Sequence, residues 1–590
     1  MPVNPEGETP DLGIPRRLAR DMTVADQHEW IRAELRRRPV TRRAALRGGI
    51  GVIAGLALAH GPWTGVARAA GTGLVGRHLA FGDDPRTSMA IAGELTGKPA
   101  GRVLLDLGLD TGYGATVPVE LRELVSQVPR GEDVRGGEQL FAHARAEGLT
   151  AGTTYHYRFR LPDGSTTPDA TFRTAPAKGD GRPFTFTAFA DQGVAGDARD
   201  GNGGAAPPDV LTALIAQDAP AFHLLAGDIC YADRAGRGDR DDSFDPGLWT
   251  RYFAAIEKSA AHTPWMFATG NHDMEALYDD GDSGHGYGGH AARLDLPRTG
   301  PSGCPSVYAF THGCVGVVSV DANDLSTEIR ANTGYSRGAQ VEWLTDTLAA
   351  FRADPDVTFV VVFFHHCAYS TSDSHASDGG VRSALTPLFD RFSVDLAVQG
   401  HNHQYERTDP IRGGEATREA PDRATVRPAT DGTTYICVGS GGRRSNGWLD
   451  DGGDRYRGRA GEDREIRSRV TGKDGERSET VGWSRVRYAG YAYLRVEVQP
   501  EVPGRIATMR VHAVTDDGEE IDRVDLARPV PGVPVVPPPA VPSVSPAPPP
   551  AVPTTPAVPA VPVVPAGWSR TPTGLSVPAG STGSSPSRVL

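Results

Sequence analysis

The 590-residue sequence is poor in cysteine, in long apolar runs and in net positive charge. Five cysteines are too few to hold a chain of this length together, which excludes a small disulfide-rich scaffold. The apolar stretch at residues 48–59 is shorter than the roughly 20 residues that a membrane-spanning helix needs. Residues 70–528 carry a net charge of −18, which argues against a nucleic-acid partner and against attachment to a membrane by basic charge.

Proline, by contrast, is abundant at one end of the chain. Of 48 prolines, 19 lie in residues 529–590, where Val-Pro and Ala-Pro repeats predict a disordered, extended and low-complexity tail. Such a tail could associate with a cell wall or act as a passive linker, and the sequence favours neither. The remaining length is enough for two or three domains of roughly 100–200 residues each.

Residues 1–69 have the organisation of an export signal. Arg42 and Arg43 precede the apolar stretch, and residues 67–69 read Ala-Arg-Ala, a small-residue cleavage site. The paired arginines resemble a twin-arginine signal, which predicts a protein that is extracellular, periplasmic or attached to the cell wall. No membrane span is expected after cleavage. The alternative is a short buried helix in a cytoplasmic protein.

Residues 75–176 predict an all-β domain. Polar and apolar side chains alternate in segments such as residues 154–160, and turn sequences such as Pro162-Asp163-Gly164 separate these segments. About a hundred residues of short strands is the size of a β-sandwich. Residues 176–183 then predict a linker.

From residue 183 onward, apolar runs of strand length alternate with helical patterns, which predicts a layered α/β domain. The predicted strands are Phe184–Ala190, Ala221–Ala226, Trp265–Thr269, Val315–Val320, Val357–Phe364 and Val394–Val398. The predicted helices are Asp209–Gln217, Ala339–Phe351 and Arg382–Arg391. Residues 441–479 are charged and rich in glycine, which predicts a long exposed loop before closing strands at 491–498 and 507–513.

Five of the apolar runs are followed by side chains that bind metals. The segments are Asp191-Gln192-Gly193, Gly227-Asp228-Ile229-Cys230-Tyr231, Gly270-Asn271-His272-Asp273, His365-His366 and Gly400-His401-Asn402-His403. Ligands bind where the carboxyl ends of strands converge in α/β sheets, and these side chains offer oxygen and nitrogen donors. A single aspartate after a strand is more often a cap, so the ordered set carries the hypothesis. The three glycines that precede Asp228, Asn271 and His401 are expected to let the chain turn sharply.

The ordered set Asp-x-Gly, Gly-Asp-x-x-Tyr, Gly-Asn-His-Asp, strand-His and Gly-His-x-His resembles the purple acid phosphatases within the calcineurin-like metallophosphoesterases. The resemblance implies a fibronectin type III-like β-sandwich at residues 75–176 and a four-layer α/β catalytic domain at residues 183–525. It also implies an acid phosphatase that hydrolyses small phosphate monoesters.

The resemblance also implies two metal ions. The first would be held by Asp191, Asp228, Tyr231 and His403, and the second by Asp228, Asn271, His365 and His401, so that Asp228 bridges them. The first metal would be Fe(III), because a tyrosine phenolate is a hard anionic donor, and the second Fe(II), Zn or Mn. His365 is preferred to His366 by its offset from Tyr369, although Cys367 stands where the family usually has proline. Strand alternation predicts that the two histidines lie on opposite faces.

The two cations would generate a hydroxide for in-line attack on phosphorus. His272 follows a ligand and resembles the family's catalytic histidine, so it is expected to stabilise the phosphate. His375 is expected to protonate the leaving group, with a solvated loop position as the alternative, and His366 is a third candidate.

Two other functions stay open. The same fold could serve a phosphodiesterase or nucleotidase, a choice that depends on pocket loops such as residues 234–247 and 279–303. A protein of a different class, a cell-envelope binding protein, could carry a vestigial metal site. The intact ligand set speaks against this second alternative, because loss of function would be expected to erode it.

Overall fold

The computed structural model describes residues 72–130, 133–195, 207–233, 236, 245–275, 286–450, 455–458, 461, 465–500 and 506–528. The predicted export signal and the proline-rich tail lie outside these residues, so both stay predictions. Within the described ranges, none of the helices combines the length and the apolar character that crossing a membrane requires. All five cysteines are buried and free.

The N-terminal part is built from strands, as its alternating pattern predicts. The eight strands are β1 (Leu74–Phe81), β2 (Met89–Leu95), β3 (Leu104–Gly108), β4 (Ala115–Pro118), β5 (Glu120–Arg130), β6 (Asp133–Ala146), β7 (Thr154–Arg160) and β8 (Ala170–Arg173). They form two antiparallel sheets in the orders β1-β2-β6-β5 and β4-β3-β7-β8. Ile91 and Phe141 of the first sheet share one hydrophobic core with Leu105 and Tyr157 of the second.

The rest of the chain alternates strands and helices. The strands are β9 (Phe184–Phe189), β10 (His223–Ala226), β11 (Trp265–Ala268), β12 (Tyr308–His312), β13 (Val315–Ser319), β14 (Phe359–Phe363), β15 (Leu396–Gln399), β16 (Tyr405–Thr408), β17 (Ile411–Arg412), β18 (Glu415–Ala416), β19 (Ala424–Val426), β20 (Thr434–Val438), β21 (Arg455–Arg457), β22 (Ile466–Gly472), β23 (Gly475–Val481), β24 (Ser484–Tyr488), β25 (Ala492–Gln499), β26 (Ala507–Thr515) and β27 (Glu520–Arg528). The helices are α1 (Pro207–Asp218), α2 (Gly247–Ala260), α3 (Gly288–Arg293), α4 (Ala339–Ala353), α5 (Gly379–Phe392) and α6 (Pro428–Asp431).

The six predicted strands and three predicted helices are confirmed, with ends that differ by a few residues. The prediction of a long loop at residues 441–479 is wrong in its second half, where β22 and β23 pair as a hairpin. Along β22, the buried residues are Ile466, Ser468 and Val470. The side chain of Ser468 donates a hydrogen bond to the carbonyl of Ser370, 2.8 Å away, so a contact distant in sequence holds a polar residue inside. The apolar periodicity that would have indicated a strand is therefore interrupted.

Two large mixed sheets make up this α/β region. One has the order β11-β10-β9-β25-β26-β27-β19 and the other β12-β13-β14-β15-β20-β16-β24-β21. Along β14, Phe359, Val361 and Phe363 belong to the core shared with the first sheet. Val360 and Val362 belong to a second core, which includes the apolar faces of α4 and α5. The second sheet is therefore covered on both faces, which explains its nearly continuous apolar strands.

The two sheets meet at the carboxyl ends of their central parallel strands. The amide of Ala190, just after β9, donates to the carbonyl of Val438 at the end of β20, 3.0 Å away. The amide of Gly441 in turn donates to the carbonyl of Ala190, also at 3.0 Å. The chain segments that leave the strands of both sheets therefore lie around one point.

The N-terminal sheets and the α/β region also share buried contacts. A Cβ atom on Gly76 of β1 would lie 2.7 Å from the Cβ of Phe253 in α2, so this approach requires glycine. Beside it, the Arg77 guanidinium lies 2.7 Å from the Glu257 carboxylate. A single hydrophobic cluster includes residues of both regions, so the apolar core does not stop at the predicted linker.

Candidate metal centre

The side chains predicted to bind metal all follow the carboxyl ends of parallel strands. Asp191 follows β9, Asp228 and Tyr231 follow β10, Asn271 follows β11, His365 follows β14, and His401 and His403 follow β15. Because these strand ends lie where the two sheets meet, residues more than 200 positions apart in sequence converge on one place.

Three of these side chains form a first cluster. The Tyr231 hydroxyl lies 2.9 Å from Asp191 Oδ1 and 3.1 Å from His403 Nε2. His403 Nε2 lies 3.5 Å from the same carboxylate oxygen. The other ring nitrogen of His403, Nδ1, lies 3.1 Å from the Arg444 carbonyl, which can only accept, so Nε2 presents its lone pair to the cluster.

A second cluster lies beside it. His365 Nε2 is 3.2 Å from Asp228 Oδ2 and 3.1 Å from Asn271 Oδ1. The Nδ1 atom of His365 lies 2.9 Å from the Ala226 carbonyl, which again leaves Nε2 facing the oxygen donors. Ligand atoms of Asp228, His365 and His401 all lie within 4.8 Å of one another, a spacing that could hold a metal ion. The two clusters are linked by the His401 amide, which donates to Asp191 Oδ2 at 2.8 Å.

The backbone is strained at this site. Nine non-glycine residues in the described ranges have positive φ, and four of them are predicted ligands: Asp191, Asp228, Tyr231 and His401. Their φ values lie between 51° and 69°, in the left-handed region that side chains other than glycine rarely occupy. Such strain persists where surrounding contacts impose it, and it concentrates at functional sites.

The glycines of the motifs act mainly by leaving space. Of the three glycines that precede Asp228, Asn271 and His401, which are Gly227, Gly270 and Gly400, only Gly227 has the positive φ, 87°, that a sharp turn needs. A Cβ atom on Gly270 would lie 2.1 Å from Asp228 Oδ1, and one on Gly400 would lie 2.7 Å from Asp191 Oδ2. The expectation that all three glycines permit a turn is therefore confirmed for Gly227 alone, and the other two let the carboxylates pack against the backbone.

The electrostatics of the site suit a cation. Burial lowers the pKa of His365, but the carboxylates of Asp228 and Asp191 outweigh burial and raise that pKa to about 10. Burial, with Asp191 and Asp228, raises the pKa of the Tyr231 hydroxyl well above its usual value. A place that attracts a proton this strongly also attracts a divalent or trivalent cation. The donors, carboxylate, phenol, amide and imidazole, therefore fit two metal ions.

His272 lies at the edge of both clusters. Its amide donates to Asp228 Oδ1 at 2.9 Å, and its Nδ1 lies 2.6 Å from the carbonyl of Asp233. Nε2 is thereby directed to the side of Asp228, whose Oδ2 is 4.0 Å away. The ring centroids of His272 and Tyr231 are 4.4 Å apart. The structure thus brings the predicted phosphate-binding histidine to the candidate ligands.

His366 and His375 both lie against His401. The ring centroid of His366 is 4.5 Å from that of His401, and the centroid of His375 is 3.9 Å away. Strand alternation does not separate His366 from His365, because β14 ends at Phe363 and the next residues form a bend. His366 is fully buried, and neither of its ring nitrogens has a hydrogen-bond partner among the described residues.

Two charged residues at the site were not found from the sequence. Glu328 lies 2.7 Å from His375 Nδ1, in a loop that carries no recognisable motif. Arg443 follows β20, and its guanidinium carbon lies 3.9 Å from the centre of the Tyr231 ring. A signal for Arg443 exists, because Gly439-Ser440-Gly441-Gly442 follows an apolar run in the same way as the other motif glycines follow their strands.

Comparisons with known proteins agree with this geometry. The family model of the calcineurin-like phosphoesterases matches residues 186–405, which contain all seven predicted ligands. An uncharacterized protein of Mycobacterium tuberculosis is 34% identical over 437 residues, which cover 69% of this chain and 78% of that protein. Purple acid phosphatase 22 of Arabidopsis thaliana is 28% identical over 305 residues, which cover 51% of this chain and 58% of the plant protein.

A solved structure supports the fold. The structure of a purple acid phosphatase from yellow lupin (Lupinus luteus) seeds has a TM-score of 0.57 and 18% identity, covering 78% of this chain and 75% of that one. This chain belongs to the calcineurin-like phosphoesterase family, a family of phosphoric ester hydrolases. Within that family it is a purple acid phosphatase-like metallophosphoesterase. Membership implies a binuclear metal site and a phosphate ester as substrate.

Proposed function

We propose that this protein is an exported binuclear-metal acid phosphatase that hydrolyses phosphate monoesters. The observation that carries the proposal is the convergence of two donor clusters around Asp191 and Asp228, linked by the His401 amide at 2.8 Å. Asp228 of the second cluster also lies close enough to the Tyr231 hydroxyl of the first to help raise its pKa, and a carboxylate near both groups of donors is the arrangement that a pair of bridged cations needs. The chemistry of the donors, together with the family, supports the activity.

The residues that would hold the metals are those of the two clusters. Asp191, Asp228, Tyr231 and His403 would hold Fe(III), and Asp228, Asn271, His365 and His401 would hold Fe(II), Zn or Mn. When bound, the two cations would activate water and neutralise charge on the phosphate. The carbonyls of Ala226 and Arg444 keep His365 and His403 in the orientation that presents Nε2 to the metals.

The remaining polar groups would handle the substrate. His272, oriented by the Asp233 carbonyl, would stabilise the phosphate, and Arg443 would add a positive charge at the same end of the site. His375 would give a proton to the leaving alcohol, because its side chain is 32% exposed and can meet a substrate that enters from solvent. His366, the third candidate, is fully buried and is the weaker choice for the acid.

The rest of the chain would deliver and place the enzyme. We propose that residues 1–69 are a twin-arginine signal, that residues 75–176 form a fibronectin type III-like sandwich, and that residues 183–525 form the catalytic domain. The two four-stranded antiparallel sheets with one core support the sandwich. The role proposed for the tail at residues 529–590 is association with a cell wall.

Metal analysis with a visible spectrum of the purified protein tests the proposed centre. We expect about two metal ions per chain and a broad visible band from iron–phenolate charge transfer. Tyr231→Phe should lose the band, whereas Tyr155→Phe, in β7, should keep it. A metal-free protein contradicts the proposal, and a band that survives Tyr231→Phe contradicts the role of that tyrosine.

Substrate assays test the reaction. The protein should hydrolyse p-nitrophenyl phosphate faster than bis-(p-nitrophenyl) phosphate. A preference for the diester would show a phosphodiesterase on the same fold. A metal-loaded protein that hydrolyses neither ester nor nucleotides would support a binding protein with a vestigial site.

A further inference from the structure

The loop after β13 brings one acidic side chain to the candidate metal centre from outside all of the motifs. Glu328 lies in this loop, more than 40 residues before His375 in sequence. Its side chain is 21% exposed, so it is largely enclosed by protein. We infer that Glu328 is a positioning residue that holds His375 with its Nε2 atom toward the substrate. This inference deepens the proposed function and rests on it for the reaction, but its geometry stands by itself.

The contact between the two side chains defines the orientation of the ring. His375 Nδ1 and Glu328 Oε1 are 2.7 Å apart, the distance of a charge-assisted hydrogen bond. An ionised carboxylate can only accept, so Nδ1 carries a hydrogen and donates it. The ring also lies against that of His401, with centroids 3.9 Å apart and planes inclined by 36°. Two contacts in different directions leave the imidazole little freedom to rotate.

The backbone on either side is held as well. The amide of His375 donates to Asn402 Oδ1, 3.2 Å away, in the Gly-His-x-His segment. The amides of Thr327 and Glu328 donate to the buried carboxylate of Asp378, at 3.0 and 3.1 Å. Asp378 also begins α5, where it accepts from the amides of Gly380 and Val381. One carboxylate therefore ties the loop of Glu328 to the helix that follows His375.

The orientation matters for the proton that the leaving group requires. As the bond between phosphorus and the ester oxygen breaks, the oxygen takes the proton from His375 Nε2, and a water-derived oxygen forms the new bond to phosphorus. The hydrogen on Nδ1 stays bonded to that nitrogen throughout, and Nδ1 continues to donate it to the Glu328 carboxylate. A carboxylate in this place selects the ring orientation and stabilises the charged imidazolium before transfer. Without it, the ring could turn and direct Nδ1 or a carbon atom at the substrate.

The position of Glu328 has one competing explanation. Its Oε2 atom lies 3.4 Å from His401 Nε2, and ligand atoms of Glu328, His375 and His401 lie within 4.8 Å of one another. Glu328 could therefore bind metal directly. The two roles predict different results, because a ligand is needed for metal content and a positioning residue is needed for proton transfer.

The kinetic experiment compares two monoesters that differ in their need for an acid. Phenyl phosphate has a poor leaving group, whereas 2,4-dinitrophenyl phosphate has a good one that leaves without protonation. Glu328→Gln should lower kcat on phenyl phosphate about 10- to 100-fold and leave kcat on the dinitrophenyl ester within about threefold, since general acid catalysis contributes roughly 10²- to 10⁴-fold. Metal content should stay unchanged. Glu328→Asp should recover part of the loss, and Glu342→Gln, an exposed acid of α4, should change neither rate.

An equal loss on both esters, no loss on either, or a variant that lacks a metal ion would overturn the inference.

Crystal structures of the metal-loaded wild type and of Glu328→Gln give a readout that does not need activity. We expect the contact between His375 Nδ1 and the Glu328 carboxylate in the wild type and a rotated or disordered His375 ring in the variant. A wild-type structure with Glu328 bound to metal, or an unmoved ring in the variant, would also overturn it. A wild type that holds this contact but hydrolyses no phosphate ester would refute the proposed function and leave the positioning role standing.

Discussion

At the scale of single residues, the site depends on the missing side chains of its glycines as well as on the side chains of its predicted ligands. Asp228 occupies a left-handed backbone conformation with φ of 51°, and its carboxylate packs against the backbone of Gly270. Strain and close approach both restrict which residues these positions tolerate. The motif glycines are therefore part of the candidate metal centre, although they contribute no ligand atom.

Replacing Gly270 tests this dependence. In Gly270→Ala the new Cβ would lie 2.1 Å from Asp228 Oδ1, so the carboxylate or the loop must move. We expect loss of metal and a fall in kcat/KM of about 100-fold or more, because misplacement by about 1 Å costs that much. Metal analysis and initial rates measure both effects. Gly97→Ala, where nothing lies within 4 Å of the new atom, should behave like the wild type, and full metal content in Gly270→Ala would contradict the argument.

Arg443 offers a second test at this scale. The core of the chain is strongly acidic, with a net charge of −18 over residues 70–528, yet the proposed substrate is an anion. Arg443→Met keeps the length of the side chain and removes its charge beside Tyr231, so KM for p-nitrophenyl phosphate should rise about tenfold, equal to about 1.4 kcal/mol.

Arg391→Met is the control for Arg443→Met, because Arg391 also lies over an aromatic ring, that of Phe392 at 5.0 Å. Its KM should match that of the wild type. An unchanged KM in Arg443→Met would show that Arg443 does not contact the phosphate.

At the scale of secondary-structure elements, the ends of strands and helices carry the function. The parallel strands of both sheets position the predicted ligands, and the first turn of α5 ties the loop of Glu328 to the segment of His375. Asp378 makes this connection, since its fully buried carboxylate accepts from the amides of the helix and from the amides of the loop. The residue that caps α5 therefore also holds the loop of Glu328 in place.

Removing this cap should be costly. Asp378→Ala leaves the amides at the start of α5 and those of the loop without their acceptor. We expect the free energy of unfolding to fall by about 3 kcal/mol, from the loss of the cap and of buried hydrogen bonds. Urea denaturation measures the change. Asp346→Ala, at an exposed position of α4, should stay within about 0.5 kcal/mol of the wild type, and a similarly small loss in Asp378→Ala would contradict the expected role.

At the scale of the whole molecule, the N-terminal sheets and the catalytic sheets are joined by one apolar core. His312 of β12 lies in this core, with ring centroids 4.6 Å from Phe184 and 6.0 Å from Phe81. Burial lowers the pKa of His312 to about 3. The buried ring is therefore neutral in the folded protein, at pH values where the unfolded chain would already bind a proton.

This burial makes stability depend on pH. The contribution of neutral His312 is complete above pH 6.5 and is lost as the pH falls from 6.5 toward 3, because only the unfolded chain is protonated in that window. At pH 5 the loss is about 2 kcal/mol. Urea denaturation of His312→Phe should therefore show a drop between pH 7 and pH 5 that is smaller than in the wild type by about this amount.

The exposed His262 provides the control for this measurement. His262→Phe should keep the pH dependence of the wild type. An unchanged drop in His312→Phe would show that His312 is protonated in the folded state or is not enclosed by the core.

Much of the fold could be predicted because its signals are local. Apolar runs of strand length predicted six of the seven strands from β9 to β15, all except β12, and helical periodicity predicted α1, α4 and α5. The hairpin of β22 and β23 could not be predicted, because Ser468 interrupts its apolar pattern and is accommodated by the carbonyl of Ser370. The placement of Glu328 could not be predicted either, because the contacts that bring it to His375 span 47 residues or more.

What the sequence by itself determined is the order of the ligand types, the strands that precede them and the family to which they point, because each of these is written in a few neighbouring residues. Only the tertiary structure decided which nitrogen of His365 and of His403 faces the candidate metal site, that His366 lies beside His365 against His401, and that Glu328 and Arg443 join the site. These features depend on two sheets meeting at their strand ends, where side chains from distant segments first come within hydrogen-bonding distance.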